Sequence, residues 1–483
     1  MTLKGSVPTL ASVSDKRIIL FELNEVPFRV IDDFVSKRPD SSFSYALSRS
    51  SQYRTHAPDA TLSPWITWPT VHRGVDQSVH GIEQLGQDVS VVDQQHPPLW
   101  QTLAGRGIRV GVFGSLHSYP VPGDLKGYSF YVPDTFAADA SCFPSSVDAF
   151  QRLNLHLARA SARNVSRQIP FRDALDVVRH LPSLGLGSRT LWELAYQIVT
   201  ERVRPWTRIR RRTMQAVAGF DVFYRLLSKK TPAVATFFSN HVASSMHRYW
   251  AATYPDDYAV NEFSTEWRDR YTGEIDRAMQ HADRMLGRLI RFAQGDQRYS
   301  VWVLSSMGQA ASEARPMLTQ LYITDVNRFV TALGVGSVSQ WEQRASMLPV
   351  TSLYITDGSA RHTFRESLLA LRLAGQPVEW DERGAGFFSI TLGQPNLAND
   401  DIKAQVGAVA YAPEQIGISA VEIEDQAASS GYHVPEGSLV AYDPADQAPD
   451  RSRREISTTD ILRMILDVVG LPPALDADPV SVT

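Results

Sequence analysis

The chain has 483 residues, 43% hydrophobic and 21% charged, with a formal net charge of −4. A single core stops growing at about 250–300 residues, so this length calls for two or three structural units. The slight negative charge excludes a generally basic face, and no nucleic-acid partner is expected. Cys142 is the only cysteine, which excludes an intrachain disulfide and a thiolate metal cluster.

Met1 to Arg17 is polar, and it lacks the apolar core of about 7–15 residues that a secretory signal needs. No run approaches the roughly 18 apolar residues that span a bilayer. These features predict a cytoplasmic protein. The first strong element is Arg17–Asn24, an almost continuous apolar run that reads as a strand buried on both faces. Ser63-Pro64 predicts a helix start, with Ser63 as N-cap and proline at the first helical position. A helix over 99–107 and a short buried strand over 108–113 follow. From about 140 to 230 the pattern is helical only, and Arg202–Arg212 holds six arginines around Pro205 and Trp206. That run reads as a solvated helix face or as a contact for an anionic ligand, a membrane or a partner.

Strand-like runs return at 233–238 and 299–304, flanking a long helix near 265–294. Mixed elements fill 311–428: a helix near 323–334, a strand at 349–355, a helix at 360–374 and a hairpin across 377–392. The tail adds Gly437–Tyr442 and a helix over 457–469. The predicted fold class is α/β, with a mainly parallel central sheet flanked by helices, a helical insertion and an α+β cap. The divisions are a core part at 1–140, the helical insertion at 141–230, a second core part at 231–310, the cap at 311–428 and a C-terminal core part at 429–483.

Five separated segments place ligand-type or nucleophile-type residues at strand edges: Glu22-Leu-Asn-Glu25, Thr61–Thr70, Asn240–His247, Ser305-Ser-Met-Gly308 and His433. In open α/β sheets, sites form beyond the carboxyl ends of strands, so these segments can converge. Glu22 sits inside an apolar strand, where a carboxylate is expensive unless paired or functional. Thr61, Ser63 and Thr67 are the candidate nucleophilic hydroxyls, because a helix start offers unpaired N–H groups to an oxyanion. His80 is expected to hold its loop, and Trp68 and Thr70 to pack the helix.

In this order and context the segments resemble the alkaline phosphatase superfamily, nearest its type I phosphodiesterase/nucleotide pyrophosphatase branch. Arg73-Gly74…His80-Gly-Ile82, Asn240…His247-Arg-Tyr-Trp250, Ser305-Ser-Met-Gly308 and His433…Gly437 stand for the family's successive motifs. The resemblance covers both ends and the middle, but neither insertion. It implies two divalent metal sites beside a threonine or serine nucleophile, and the departures are concentrated at those sites. One metal site would need aspartate at Asn24 and Asp-His at Ser306-Met307, where a neutral amide, a hydroxyl and a soft thioether stand instead. The other would use His247 and His433, with Asn240 or His241 completing the set, and would take one zinc or manganese ion.

The resemblance therefore implies a phosphodiesterase- or phosphatase-like hydrolase or transferase with at most one retained metal site. Thr61 would be the nucleophile and Ser63 the runner-up. Glu22, Glu25 and His241 are acid–base candidates, and Asn24, Thr67, Asn240 and Ser306 bind a small phosphorylated or other anionic substrate. Two alternatives stand beside it: a catalytically silent member that binds a phosphorylated ligand or a partner, and a metal-independent group transferase on a glycan or metabolite.

Overall fold

The computed structural model describes residues 15–159, 163–384 and 386–472. The N-terminal stretch read above for a signal falls outside these residues up to position 14, as does the tail from 473.

Ten strands position the site: β1 (Arg17–Leu23), β2 (Ser50–His56), β3 (Val110–Phe113), β4 (Tyr128–Val132), β5 (Val234–Ser239), β6 (Tyr299–Leu304), β7 (Gly308–Ala311), β8 (Gly431–Val434), β9 (Leu439–Tyr442) and β10 (Arg454–Ser457). Eight of them form one sheet in the order β10-β2-β9-β6-β1-β5-β3-β4. The four apolar runs anticipated from sequence are neighbours here, β6-β1-β5-β3, and all three of their pairings are parallel. Strand β9 runs antiparallel to both its neighbours. Burial explains the continuous apolar character, since β3, β4 and β6 are buried at every residue.

Helices cover both faces. Those used below are α1 (Pro64–Arg73), α2 (Phe171–Arg179), α3 (Ser188–Val203), α4 (Arg211–Lys230), α5 (His241–Thr253) and α6 (Glu274–Gly295). One face packs Phe21, Phe237, Phe223 and Leu286 into a large apolar cluster. The other packs Leu20, Trp68, Trp100 and Val112. Residues 321–418 contribute a third cluster, built around Phe329, Leu353, Phe364 and Phe388. The expected hairpin is present there as Glu379–Arg383 paired antiparallel with Phe387–Thr391. The helix expected near 323–334 is shorter, Val326–Ala332, because Thr319–Ile323 pairs as a strand with Ile418–Glu422. No helix among the described residues is long and apolar enough to cross a membrane.

Close approach within the sheet explains one glycine. A Cβ at Gly111 would collide with the Phe130 ring across the β3/β4 pair. Gly111→Val is expected to cost about 1–3 kcal/mol as overpacking, read as a lower midpoint in urea unfolding.

Candidate metal centre

Three strands end where the polar segments begin. Asn24 and Glu25 follow β1, Asn240 follows β5, and Ser305-Ser306 follow β6. Glu25 adopts φ 60°, a left-handed conformation that a non-glycine residue holds only when its surroundings enforce it. Its carboxylate is buried, at 2% exposure. Two amide donors and two imidazoles converge on it. Asn24 Nδ2 donates to Oε1 at 2.7 Å, and Gln309 Nε2 donates to Oε2. His247 Nε2 lies 2.9 Å from Oε2 and His433 Nε2 lies 3.5 Å from it.

Each imidazole is oriented from behind. His247 Nδ1 lies 2.8 Å from the Gly431 carbonyl, and His433 Nδ1 lies 2.8 Å from the Leu62 carbonyl. A carbonyl accepts only, so each Nδ1 carries a proton, and in neutral rings both Nε2 lone pairs point at a carboxylate. That convergence requires a positive species between them, a proton or a cation. Backbone carbonyls behind ligating histidines are the usual device for fixing such a ligand. The three ligand atoms lie within 4.8 Å of one another. Burial alone would raise the Glu25 pKa, but His247 and His433 outweigh it and hold the carboxyl well below its ordinary range. Burial likewise lowers His433, and the Glu25 carboxylate outweighs that and raises it. A His₂Glu set fits a zinc-type ion and leaves a coordination position open, as in catalytic zinc sites.

The neighbouring cluster does not fit a second ion. Asn24 Oδ1 accepts from the Trp68 indole at 2.7 Å, and Asn24 Nδ2 donates to Asn240 Oδ1 at 2.8 Å. Thr67 Oγ1 and Ser306 Oγ are hydrogen-bonded at 2.8 Å, and Met307 is fully buried. These donors are neutral and already bonded to one another, so nothing there offsets the desolvation of a divalent cation.

The other sequence candidates fall in different places. Asn240 belongs to the neutral cluster, its oxygen taken by the Asn24 amide. His241 is not brought to the centre: Ser239 Oγ lies 2.7 Å from its Nδ1, and the Ala278 carbonyl of α6 lies 3.1 Å from its Nε2. Burial depresses its pKa to about 4, as expected of a neutral core histidine. Glu22 is also spent in the core, with His72 Nε2 at 2.8 Å and the Ser115 hydroxyl donating at 2.7 Å. Thr61 is exposed, its backbone N–H bonded to Gln77 Oε1 at 3.2 Å. Ser63 is the N-cap of α1, but its side chain makes no capping bond. It follows Leu62, whose carbonyl holds His433. His80 braces its loop through Thr70 Oγ1 at 3.0 Å and the Ile82 N–H at 3.0 Å.

Sequence reading missed Gln309, and it gave Trp68 a packing role without its indole bond to Asn24. The register opposes Gln309 to His433 across the β7/β8 pair, which brings the amide to the same carboxylate.

A group of basic residues reaches α5 one turn before His247. On α5, Ser244 precedes His247 by three residues and accepts from Arg212 Nη1 at 3.2 Å. Arg212 also donates to the Arg163 carbonyl at 3.1 Å. Arg163 donates to Gln320 Oε1 and Ser429 Oγ, both neutral, at 3.3 Å. Asp425 is gripped by Arg248, with Nε to Oδ2 at 2.7 Å, and by the Tyr249 hydroxyl at 2.7 Å. Burial and the Arg248 charge lower Arg163, and they lower Arg212 to about 10, so both remain cationic at neutral pH. Much of the Arg202–Arg212 run is engaged internally: Arg208 pairs with Glu424, Arg210 with Glu274 and Arg211 with Glu201.

Fold and centre together define an α/β protein with a mainly parallel sheet and a His₂Glu cluster at its carboxyl edge. No protein-family model and no curated protein sequence matches the chain. Among solved structures it is similar to murine ectonucleotide pyrophosphatase/phosphodiesterase 5, at 10% identity over 95% of this chain and 96% of that chain, with TM-score 0.40. It is also similar to phosphonoacetate hydrolase from Sinorhizobium meliloti in complex with phosphonoformate, at 12% identity over 94% and 96% of the two chains, with TM-score 0.38.

Proposed function

We propose that the protein is a hydrolase or transferase acting on a phosphate ester, of the alkaline phosphatase type, with one divalent metal held by Glu25, His247 and His433. The observation that carries this reading is the pair of imidazoles turned by backbone carbonyls onto one buried carboxylate. Zinc or manganese bound there would supply a Lewis acid for a phosphoryl oxygen. Gln309 and Asn24 hold the carboxylate in place by donating to its two oxygens.

Charge supports this substrate class. Arg163, Arg212 and Arg248 gather around Asp425, whose carboxylate Arg248 takes up, and Arg212 reaches α5 at Ser244, three residues before His247. Neutral Asn24 and Ser306 offer no repulsion to an incoming phosphate, where carboxylates would. Ser63 is the hydroxyl we assign to attack. It is half-buried, unbonded among the described residues, at the N-terminus of α1 and adjacent to the carbonyl that holds His433. Thr67 is fully buried, and its hydroxyl is committed to Ser306 and to the Ser63 carbonyl at 3.2 Å.

Hydrolysis of aryl phosphate mono- and diesters by zinc- or manganese-loaded protein tests this. Ser63→Ala is expected to lower turnover by about 10³-fold or more, the scale on which nucleophile removal acts, while Thr67→Val retains most of it. Full activity in Ser63→Ala would reassign the nucleophile. Absence of turnover on any phosphate ester, with metal bound, would leave a binding protein.

A further inference from the structure

Helix α3 is amphipathic the wrong way round. Its buried residues are Thr190, Gln197 and Glu201, at 6–7% exposure. Its exposed residues include Trp192 at 62%, Tyr196 at 59%, Val199 at 60% and Val203 at 77%. At about 100° per residue the four apolar side chains fall within an arc of about 60°. The polar face is satisfied internally: Gln197 Nε2 donates to the Thr207 carbonyl at 2.8 Å, and Glu201 receives Arg211 Nε at 2.9 Å. The apolar stripe is therefore not a misplaced core face. The Trp192 and Tyr196 rings stack at 5.2 Å, which presents a flat aromatic surface outward.

The surrounding stretch reinforces the pattern. Of 19 large apolar side chains exposed among the described residues, ten lie between Ile169 and Trp206. Phe171, Leu175 and Val178 on α2 repeat the i, i+4, i+7 spacing of an exposed stripe. An isolated exposed apolar residue is ordinary, but a contiguous stripe marks a binding face.

Charge selects the occupant. The two carboxylates of α3 are withdrawn from solvent, Glu193 against Arg189 and Glu201 against Arg211. Arg202 and Arg204 are exposed beside the stripe and make no ion pair among the described residues. Aromatic and aliphatic residues on one face with arginines along its edge match the interfacial region of an anionic bilayer. In a symmetric dimer through the same face, these arginines would meet their own like charges, which disfavours a second copy.

We propose that the α3 face of the helical insertion docks the protein onto the surface of an anionic lipid membrane, lying in the interface without crossing it. Sedimentation of the full chain with vesicles tests this, comparing phosphatidylcholine alone with phosphatidylcholine containing phosphatidylglycerol. The wild type is expected to sediment with the anionic vesicles only, and less at high salt. Trp192→Glu/Val199→Glu and, separately, Arg202→Glu/Arg204→Glu are expected to weaken binding by about tenfold or more. Both variants change exposed side chains, so their thermal unfolding should match the wild type. No binding by the wild type, or equal binding by the Trp192→Glu/Val199→Glu variant, would overturn the proposal. So would a wild-type dimer in light scattering that this variant dissociates.

Discussion

Glu25→Ala is expected to abolish metal retention and, with it, phosphate-ester turnover. Glu25 is the anionic member of the convergent cluster, and both imidazole Nε2 atoms face it. Without it, two neutral histidines remain to hold a hard divalent ion, alongside the stranded amide donors of Asn24 and Gln309. The loss of affinity should exceed the roughly 10–100-fold cost of removing a group that merely supports a ligand. Glu25→Gln keeps the shape and removes the charge, so it should fail to retain metal while remaining folded. Calorimetric zinc titration of both variants, with unfolding monitored in parallel, separates a ligand from a structural residue. A Glu25→Gln protein that binds zinc as tightly as wild type would show that the carboxylate is not a ligand.

Asp425→Ala is expected to produce the largest loss of stability, about 3–5 kcal/mol. The side chains of Arg248 and Asp425 are 5% and 7% exposed, so truncating the acid leaves a buried guanidinium uncompensated. Two further arginines, Arg163 and Arg212, already bear on this pair electrostatically, and Asp425 raises the pKa of Arg248 against the effect of burial. Tyr249 would lose its acceptor as well. Replacing both partners, as in Arg248→Met/Asp425→Leu, should recover part of the loss, because the paired guanidinium goes with its acid, while Arg163 and Arg212 lose the repulsion of Arg248 along with the attraction of Asp425. Urea unfolding of the single and double variants measures the difference. A single variant within about 1 kcal/mol of wild type would show that the cluster is wetter than its burial indicates.

The sheet was legible in the sequence because parallel strands buried on both faces must be apolar throughout. Arg17–Leu23, Val234–Ser239 and Tyr299–Leu304 carry that signature without ambiguity. The start of α1 was legible for a local reason, since Ser63-Pro64 encodes a helix start by itself. His247 and His433 were recognisable from motif order. Glu25 was harder, because its role depends on the left-handed turn after β1, which breaks the strand alternation and delivers its side chain to the carboxyl edge of the sheet. The pairing of Glu22 with His72 spans 50 residues and leaves no local trace. Helical periodicity already parts His241 from His247. Six residues at about 100° each leave it about 120° around α5 from His247, so the two rings head in different directions.

One metal per chain is expected, at Glu25, His247 and His433. Elemental analysis of protein purified without chelator, then reloaded with zinc or manganese and desalted, tests it most directly. Close to one equivalent is expected in the wild type and none in His247→Ala/His433→Ala. Two tightly held equivalents would contradict it, since the second would have to sit among Asn24, Thr67 and Ser306. One equivalent surviving in the double-histidine variant would contradict it equally.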